Sequence, residues 1–404
     1  MSAPATTSTP IATVPAATSS PNRLPGVVWL LGSVTFLMST TELIVAGLLP
    51  NVAQALSITQ AQAGLLITVF AAGMTLGAPI MSIATLRLPR RATLVSALLV
   101  FAAAHVVVAL STDFTVVLLS RFVAAVCTGT FWAIGSVVAA AAAGPRASAR
   151  AMGIMVGGVT LANILGVPLG TAGGQLLGWQ GPFWVLAGLS AAAALLLAVK
   201  LPTSGAAVAT SLRREVASLR SGRLWVVYLT TALLQGSFIA SYSYISPLLT
   251  ERAGIAPSVV PLVMLGYGAG ALLGTVVGAR LGDTRPFVVL TPAGALIALT
   301  SAGIVIWGGI APVVIGLFVL LGAFGLSVAA IVVNEAVRSV GDANTLAVAL
   351  STSSFNIGIA AASWLGGATL ASGLGTQGPP LVGAIAAAAA VLTAIAVTRM
   401  RRAA

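Results

Sequence analysis

From Val27 onward the chain reads as long apolar runs separated by short polar or basic connections. A helix needs about 20 apolar residues to cross the hydrocarbon core of a bilayer, and each run meets that length. The runs are residues 27–50, 63–85, 93–110, 114–142, 152–174, 182–199, 224–249, 259–279, 287–307, 313–333, 345–370 and 380–397. This pattern predicts an all-α polytopic membrane protein of twelve transmembrane helices. Residues 1–25, rich in Ser, Thr, Pro and Ala, have no apolar core of their own and read as a disordered tail. They do not form a signal peptide, because the polar stretch is long and the first run is itself full spanning length.

The one sizeable internal polar segment, residues 201–222, divides the runs six and six. It predicts a cytoplasmic linker between bundles at 26–200 and 223–398, with a basic tail at 399–404. The halves also resemble each other. A shift of 197 residues brings Pro50 onto Pro247, Phe70 onto Tyr267, Gly73 onto Gly270 and Gly77 onto Gly274. A parallel repeat of six spans about a basic linker is the plan of a two-bundle transporter, with the solute site between the bundles.

Composition sharpens this picture. Only 6% of residues are charged, yet the net charge is +12. If the N-terminus is cytoplasmic, seventeen of the nineteen basic residues fall on the inner side, with Arg252 outside and Arg121 within a span. That bias predicts both termini in the cytoplasm, and it assigns the positive charge to the membrane surface rather than to nucleic acid. One Cys and one His exclude a disulfide framework and argue against a zinc site. The single lysine, Lys200, follows no Gly-rich loop, so ATP is not the energy source. The seven acids are scattered without a catalytic grouping, which argues against an enzyme. No cofactor is expected, and a monomer in the lipid bilayer is the expected unit.

Two charges stand inside apolar runs. A carboxylate in a span costs roughly 2.5 to 3.5 kcal/mol even on a lenient scale, so it is retained for a function or for a basic partner. Glu42 lies eight residues before Pro50, and Arg121 seven residues into its run from the same side. Both therefore sit roughly 10 to 12 Å below the outer surface, and a Glu42–Arg121 pair would lower the cost of burying either. The alternatives are a transport-linked, protonatable Glu42 and a static salt bridge.

Small residues recur every fourth position at Gly158, Ala162, Gly166, Gly170, Gly174 and Gly178, with Pro168 among them. Such a stripe permits close helix packing, and a hinge at Pro168 is compatible with it. Thr41, Phe131, Trp132, Asn163, Gln235, Tyr242, Ser353 and Asn356 are the polar and aromatic candidates for contact with a small organic solute. His105 reads as a hydrogen-bonded core residue before a proton relay, and Glu335 as a solvated partner of Arg338.

Four stretches resemble the major facilitator superfamily, specifically its twelve-span drug:proton antiporter branch containing chloramphenicol and arabinose exporters. TTELIVAGLLPNVAQAL resembles the branch's first-span signature. RLPRR (Arg87, Arg90, Arg91) and ARLGDTR (Arg280, Asp283, Arg285) resemble the two copies of its cytoplasmic loop motif. Residues 105–125 resemble the third and fourth spans of the chloramphenicol exporters, and GVPLG (Gly166, Pro168, Gly170) the antiporter motif of the fifth. The first loop copy lacks the usual acid and has Pro89 where Gly is expected, and Val167 replaces a common Gly. The resemblance implies proton-coupled drug efflux from a bacterial plasma membrane, with Arg121 in proton coupling and the loop charges as an inner latch. Movement of Arg121 toward and away from Glu42 would then bind and release a proton. Sugar or nucleoside efflux, and a uniporter or importer with a structural Glu42–Arg121 pair, are the alternatives.

Overall fold

In a computed structural model the chain is described over residues 24–85, 88–144, 146–201, 222–282, 286–328 and 345–403, and the regular structure among them is helical. The first half holds α1 Gly26–Ala55, α2 Gln60–Ala84, α3 Arg90–Leu110, α4 Phe114–Ala143, α5 Ser148–Leu161, α6 Val167–Leu177 and α7 Gly181–Lys200. The second holds α8 Gly222–Ser243, α9 Val260–Gly282, α10 Pro286–Trp307, α11 Ala311–Ser327, α12 Thr345–Leu370 and α13 Gly378–Ala403. Within the described residues each apolar run overlaps one of these helices, α5 and α6 together forming a single rod. Ten helices among the described residues are long and apolar enough to cross a membrane; α11 is a shorter apolar helix. The linker residues 202–221, Arg87, Asp283, Arg285, Glu335 and Arg338 lie outside the described residues.

Two helices depart from their expected runs. Pro50 does not end α1, which continues to Ala55. Proline removes only one bond of the ladder, and burial of Val52 and Ala53 holds the last turn. The run 224–249 is broken at Tyr244, whose backbone (φ −116°, ψ 26°) leaves the helix before the single turn Ile245–Pro247 and a π turn, Leu248–Arg252. Arg252 closes this end by donating to the carbonyls of Ile304 (3.1 Å) and Val305 (2.6 Å) in the last turn of α10, where unpaired helix carbonyls favour a cation.

The glycine stripe is a packing seam. Gly158 rests on Gly32, Gly166 on Thr40, Gly170 on Ile44 and Gly174 on Leu48, so α1 runs parallel to α5 and α6 and in step with them. A Cβ at any of these glycines would overlap α1, which is why side-chain-free positions recur there. Between α5 and α6 lies a five-residue π turn, Ala162–Gly166. Pro168 has no N–H to offer the carbonyl of Ile164, and the helix widens directly before it. Gly178, at φ 81°, ends α6 in a left-handed conformation suited to glycine.

The internal repeat governs packing as well as pattern. A shift of 197 carries the first residues of α4, α5 and α7 (Phe114, Ser148, Gly181) onto those of α11, α12 and α13 (Ala311, Thr345, Gly378). Gly73 and Gly77 of α2 sit against Ala125 and Val126 of α4; their counterparts Gly270 and Gly274 of α9 sit against Val319 and Ala323 of α11. The halves then meet through α2 against α12, and through α9 against α6 and the π turn. One buried cluster belongs to the first half (Leu31, Met38, Phe70, Phe101, Phe131, Met155), while the other bridges both halves (Ile44, Leu48, Tyr242, Met264, Phe318).

Candidate functional site

With Thr40, Ile44 and Leu48 of α1 committed to the glycine seam, Thr41 lies one residue, about 100° of helix, further round and faces α3 and α4. Arg121 of α4 meets it there, only 1% exposed. Its Nη1 donates to Thr41 Oγ1 at 2.8 Å and its Nη2 to the main-chain carbonyl of Glu42 at 3.3 Å. The ring of Phe70 from α2 lies 4.3 Å from the guanidinium carbon, offering its negative face to the charge. Nε has no hydrogen-bond partner among the described residues.

The expected similarity of depth between Glu42 and Arg121 is therefore seen, but the expected contact takes another form. Arg121 bonds to the main chain of Glu42 and the hydroxyl of Thr41, not to the Glu42 carboxylate. Neutral acceptors take the hydrogen bonds of the cation, and the partly buried Glu42 side chain lies close enough to feel its charge without bonding to it directly. Thr41, taken from sequence as a solute contact, is fully buried and serves as the anchor of Arg121. Its hydroxyl also lies 2.7 Å from His105 Nε2, while His105 Nδ1 lies 2.8 Å from the carbonyl of Phe101. The imidazole is enclosed by the rings of Phe101 and Phe183, at 4.1 and 5.8 Å.

The other solute candidates divide between halves. Phe131 is buried in the core of the first half, with Trp132 packed against it. Asn163 stands in the π turn, and its carbonyl and Ile164 crowd Gly268 of α9. In the second half Tyr242 stacks on Tyr267 with centroids 4.3 Å apart, and its buried hydroxyl has no hydrogen-bond partner among the described residues. Asn356 donates to the carbonyl of Thr352, leaving Oδ1 buried and unpaired, and Gln235 is 6% exposed. Ser353 is a contact between halves, donating to the carbonyl of Thr75 at 3.1 Å. Of the loop charges, Arg90 and Arg91 open α3 and Arg280 is exposed in the last turn of α9.

Tyr244 was missed by the sequence reading. Its hydroxyl donates to the carbonyl of Ser363 (2.8 Å) and its ring lies against Gly64 and Gly367, at the junction of α2, α8 and α12. Ser363 in turn donates to the carbonyl of Gly64 at 3.3 Å. Nearer the helix ends, Gln60 donates to Glu251, and Gln175 to the carbonyl of Pro257 at 2.8 Å. These contacts tie one end of the first half to one end of the second. Two cavities, of 220 and 410 Å³, lie on the flanks: one among α1, α6 and α7, the other among α2, α3 and α4. Neither touches Glu42, Arg121 or Tyr242, so the lateral grooves and the charged centre are separate features.

Two repeated helical halves around a buried charge, tied together at one end, are an architecture suited to a polytopic membrane transporter. The sequence profile of the Major Facilitator Superfamily matches residues 31–345. The "Chloramphenicol resistance protein" of Streptomyces lividans is 32% identical over 375 residues, covering 92% of this chain and 96% of that protein. The "Inner membrane transport protein YdhP" of Escherichia coli (strain K12) is 32% identical over 376 residues, covering 88% and 92%. Among solved structures, the inward-facing, occupied form of a bacterial homologue of the human lysosomal transporter Spinster superposes with a TM-score of 0.77 at 16% identity, over 93% of this chain and 96% of that one. The chain belongs to the Major Facilitator Superfamily, in a drug-efflux-like branch, and is a multi-pass protein of a bacterial plasma membrane.

Proposed function

We propose that this transporter is a proton-coupled exporter of small, mostly apolar organic molecules, with chloramphenicol-like drugs first among them. In this reading twelve spans place both termini in the cytoplasm, and two six-helix bundles alternate access to a central site without a cofactor. The observation that carries it is the arrangement at α1 and α4. A buried guanidinium is docked on Thr41 and the Glu42 main chain, while the Glu42 carboxylate is not consumed by it. A buried cation with a partly buried acid beside it is costly to keep, and proton exchange gives that cost a purpose. The outer contacts Gln60–Glu251 and Gln175–Pro257 are consistent with entry from the cytoplasmic side. The relative named for chloramphenicol resistance supports the substrate class.

A second reading, uniport with a structural Arg121, draws on the same bonds, since neutral groups already accommodate much of the guanidinium. A drug-susceptibility panel in an efflux-deficient host separates the two, run with the wild type, with Glu42→Gln and with a protonophore. Export should raise resistance to chloramphenicol, and both Glu42→Gln and collapse of the proton gradient should abolish the gain. If Glu42→Gln exports with unchanged pH dependence, Glu42 is not the coupling group. Flux down a solute gradient that survives the protonophore would favour uniport.

A further inference from the structure

His105 is the one histidine of the chain, and its hydrogen bonds fix where its proton lies. The carbonyl of Phe101, 2.8 Å from Nδ1, can only accept, so Nδ1 carries the hydrogen. In a neutral ring Nε2 then accepts, and the one donor beside it is the hydroxyl of Thr41 at 2.7 Å. With its proton committed to His105, the Thr41 oxygen turns its lone pairs to the Arg121 Nη1–H at 2.8 Å. The bonds run with one polarity from Arg121 through Thr41 and His105 to the Phe101 carbonyl.

We propose that His105 is a positioning residue for Arg121: by taking the proton of Thr41 it aims the hydroxyl's lone pairs at the guanidinium. Protonation of the ring reverses the middle of this chain. Nε2–H would then point at the same oxygen that faces Arg121, and two cations would share one hydroxyl. A docked Arg121 and a protonated His105 therefore disfavour each other through their like charges. The groups around the ring make this competition specific. Thr41 comes from α1, with Glu42 one residue further on; Arg121 from α4; and Phe183, which has no charge, from α7. The link to transport rests on the proposed role of Arg121, but the hydrogen-bond polarity does not.

Because the chain holds a single histidine, ¹⁵N-histidine labelling of the full-length protein in lipid nanodiscs gives one imidazole spectrum. The expected spectrum is the Nδ1–H tautomer, the minor form of free imidazole in water, held between about pH 6 and 8. Thr41→Ser should preserve it, Thr41→Val should move the Nε2 resonance, and Arg121→Met, which leaves the ring enclosed by Phe101 and Phe183, should keep the Nδ1–H tautomer. An Nε2–H tautomer or an imidazolium in the wild type at neutral pH overturns the proposal without any variant. In proteoliposomes, His105→Phe should lower export about tenfold, the worth of one hydrogen bond to a charged group, and displace its pH profile. His105→Gln, which can again accept from Thr41, should recover most of the loss. Identical pH profiles for wild type and His105→Phe would refute the positioning role. If the wild type exports nothing, the proposed function fails, and the tautomer still decides this inference.

Discussion

The two halves of the molecule are one scaffold filled in two ways. Under the 197-residue shift, Thr41, Glu42, Phe70 and Arg121 correspond to Phe238, Ile239, Tyr267 and Phe318, and these four are all 2% exposed or less. Where the first half holds a guanidinium on a threonine hydroxyl, the second packs aromatic and aliphatic side chains. The glycine contacts between α2 and α4 and between α9 and α11 are nevertheless the same. The helix packing thus does not need the charge, and a buried charge that packing does not need is one the protein keeps at a cost.

The largest expected effect comes from making the first half resemble the second. Arg121→Met fills similar length with a flexible apolar chain and removes the desolvated cation. Export should fall to background, while thermal stability in detergent stays level or rises, as often follows when a buried charge gives way to a packed apolar group. The converse, Phe318→Arg, places an unpartnered charge in a core that holds none and should cost about 3 kcal/mol. If Arg121→Met unfolds the protein and Phe318→Arg is tolerated, the contrast between halves is not one of function against packing.

The next effect tests whether the halves share their packing energetically. Gly77→Val and Gly274→Val drive a branched side chain into the backbones of Val126 and Ala323 respectively. Each should destabilise by about 1 to 3 kcal/mol through overpacking. Equal losses in melting temperature support equivalent seams; a loss confined to one half would break the equivalence.

Much of this architecture was legible in the sequence, because bilayer thickness sets a length that apolar runs must meet and small residues mark where backbones approach. The starts of α4 and α12 and the end of α10 fall where the runs begin and end, at Phe114, Thr345 and Trp307. The stripe from Gly158 to Gly174 is the seam that its spacing implied. The site was less legible. Equal depth placed Glu42 near Arg121, but depth does not say which atom a guanidinium will choose, and the main-chain carbonyl and a hydroxyl were chosen. Thr41 and His105 lie on different helices, and no periodicity along one helix links them. The break at Tyr244 was hidden because SYSYIS holds no glycine, proline or charge to mark it, and only the contacts of its ring with Gly64 and Gly367 show its place.

Tyr244 supplies the smallest effect and the finest test of the comparison. Its counterpart under the repeat is Gly47, which gives up its side chain so that Thr171 and Met264 can approach α1. The first half thus leaves a gap for the second to enter, and the second places a ring against Gly64 of the first. Tyr244→Phe keeps that ring and deletes only the hydroxyl that donates to the Ser363 carbonyl. A carbonyl within a helix has a second acceptor site and loses little when one donor goes. The expected destabilisation is therefore about 1 kcal/mol or less, read as a small fall in melting temperature. Gly64→Ala should be worse, since its methyl group would overlap the Tyr244 hydroxyl, and pairing it with Tyr244→Phe should relieve part of the cost. If Tyr244→Phe is as damaging as Gly77→Val, the hydroxyl and not the ring holds the halves together, and the wedge is a polar latch rather than a fitted shape.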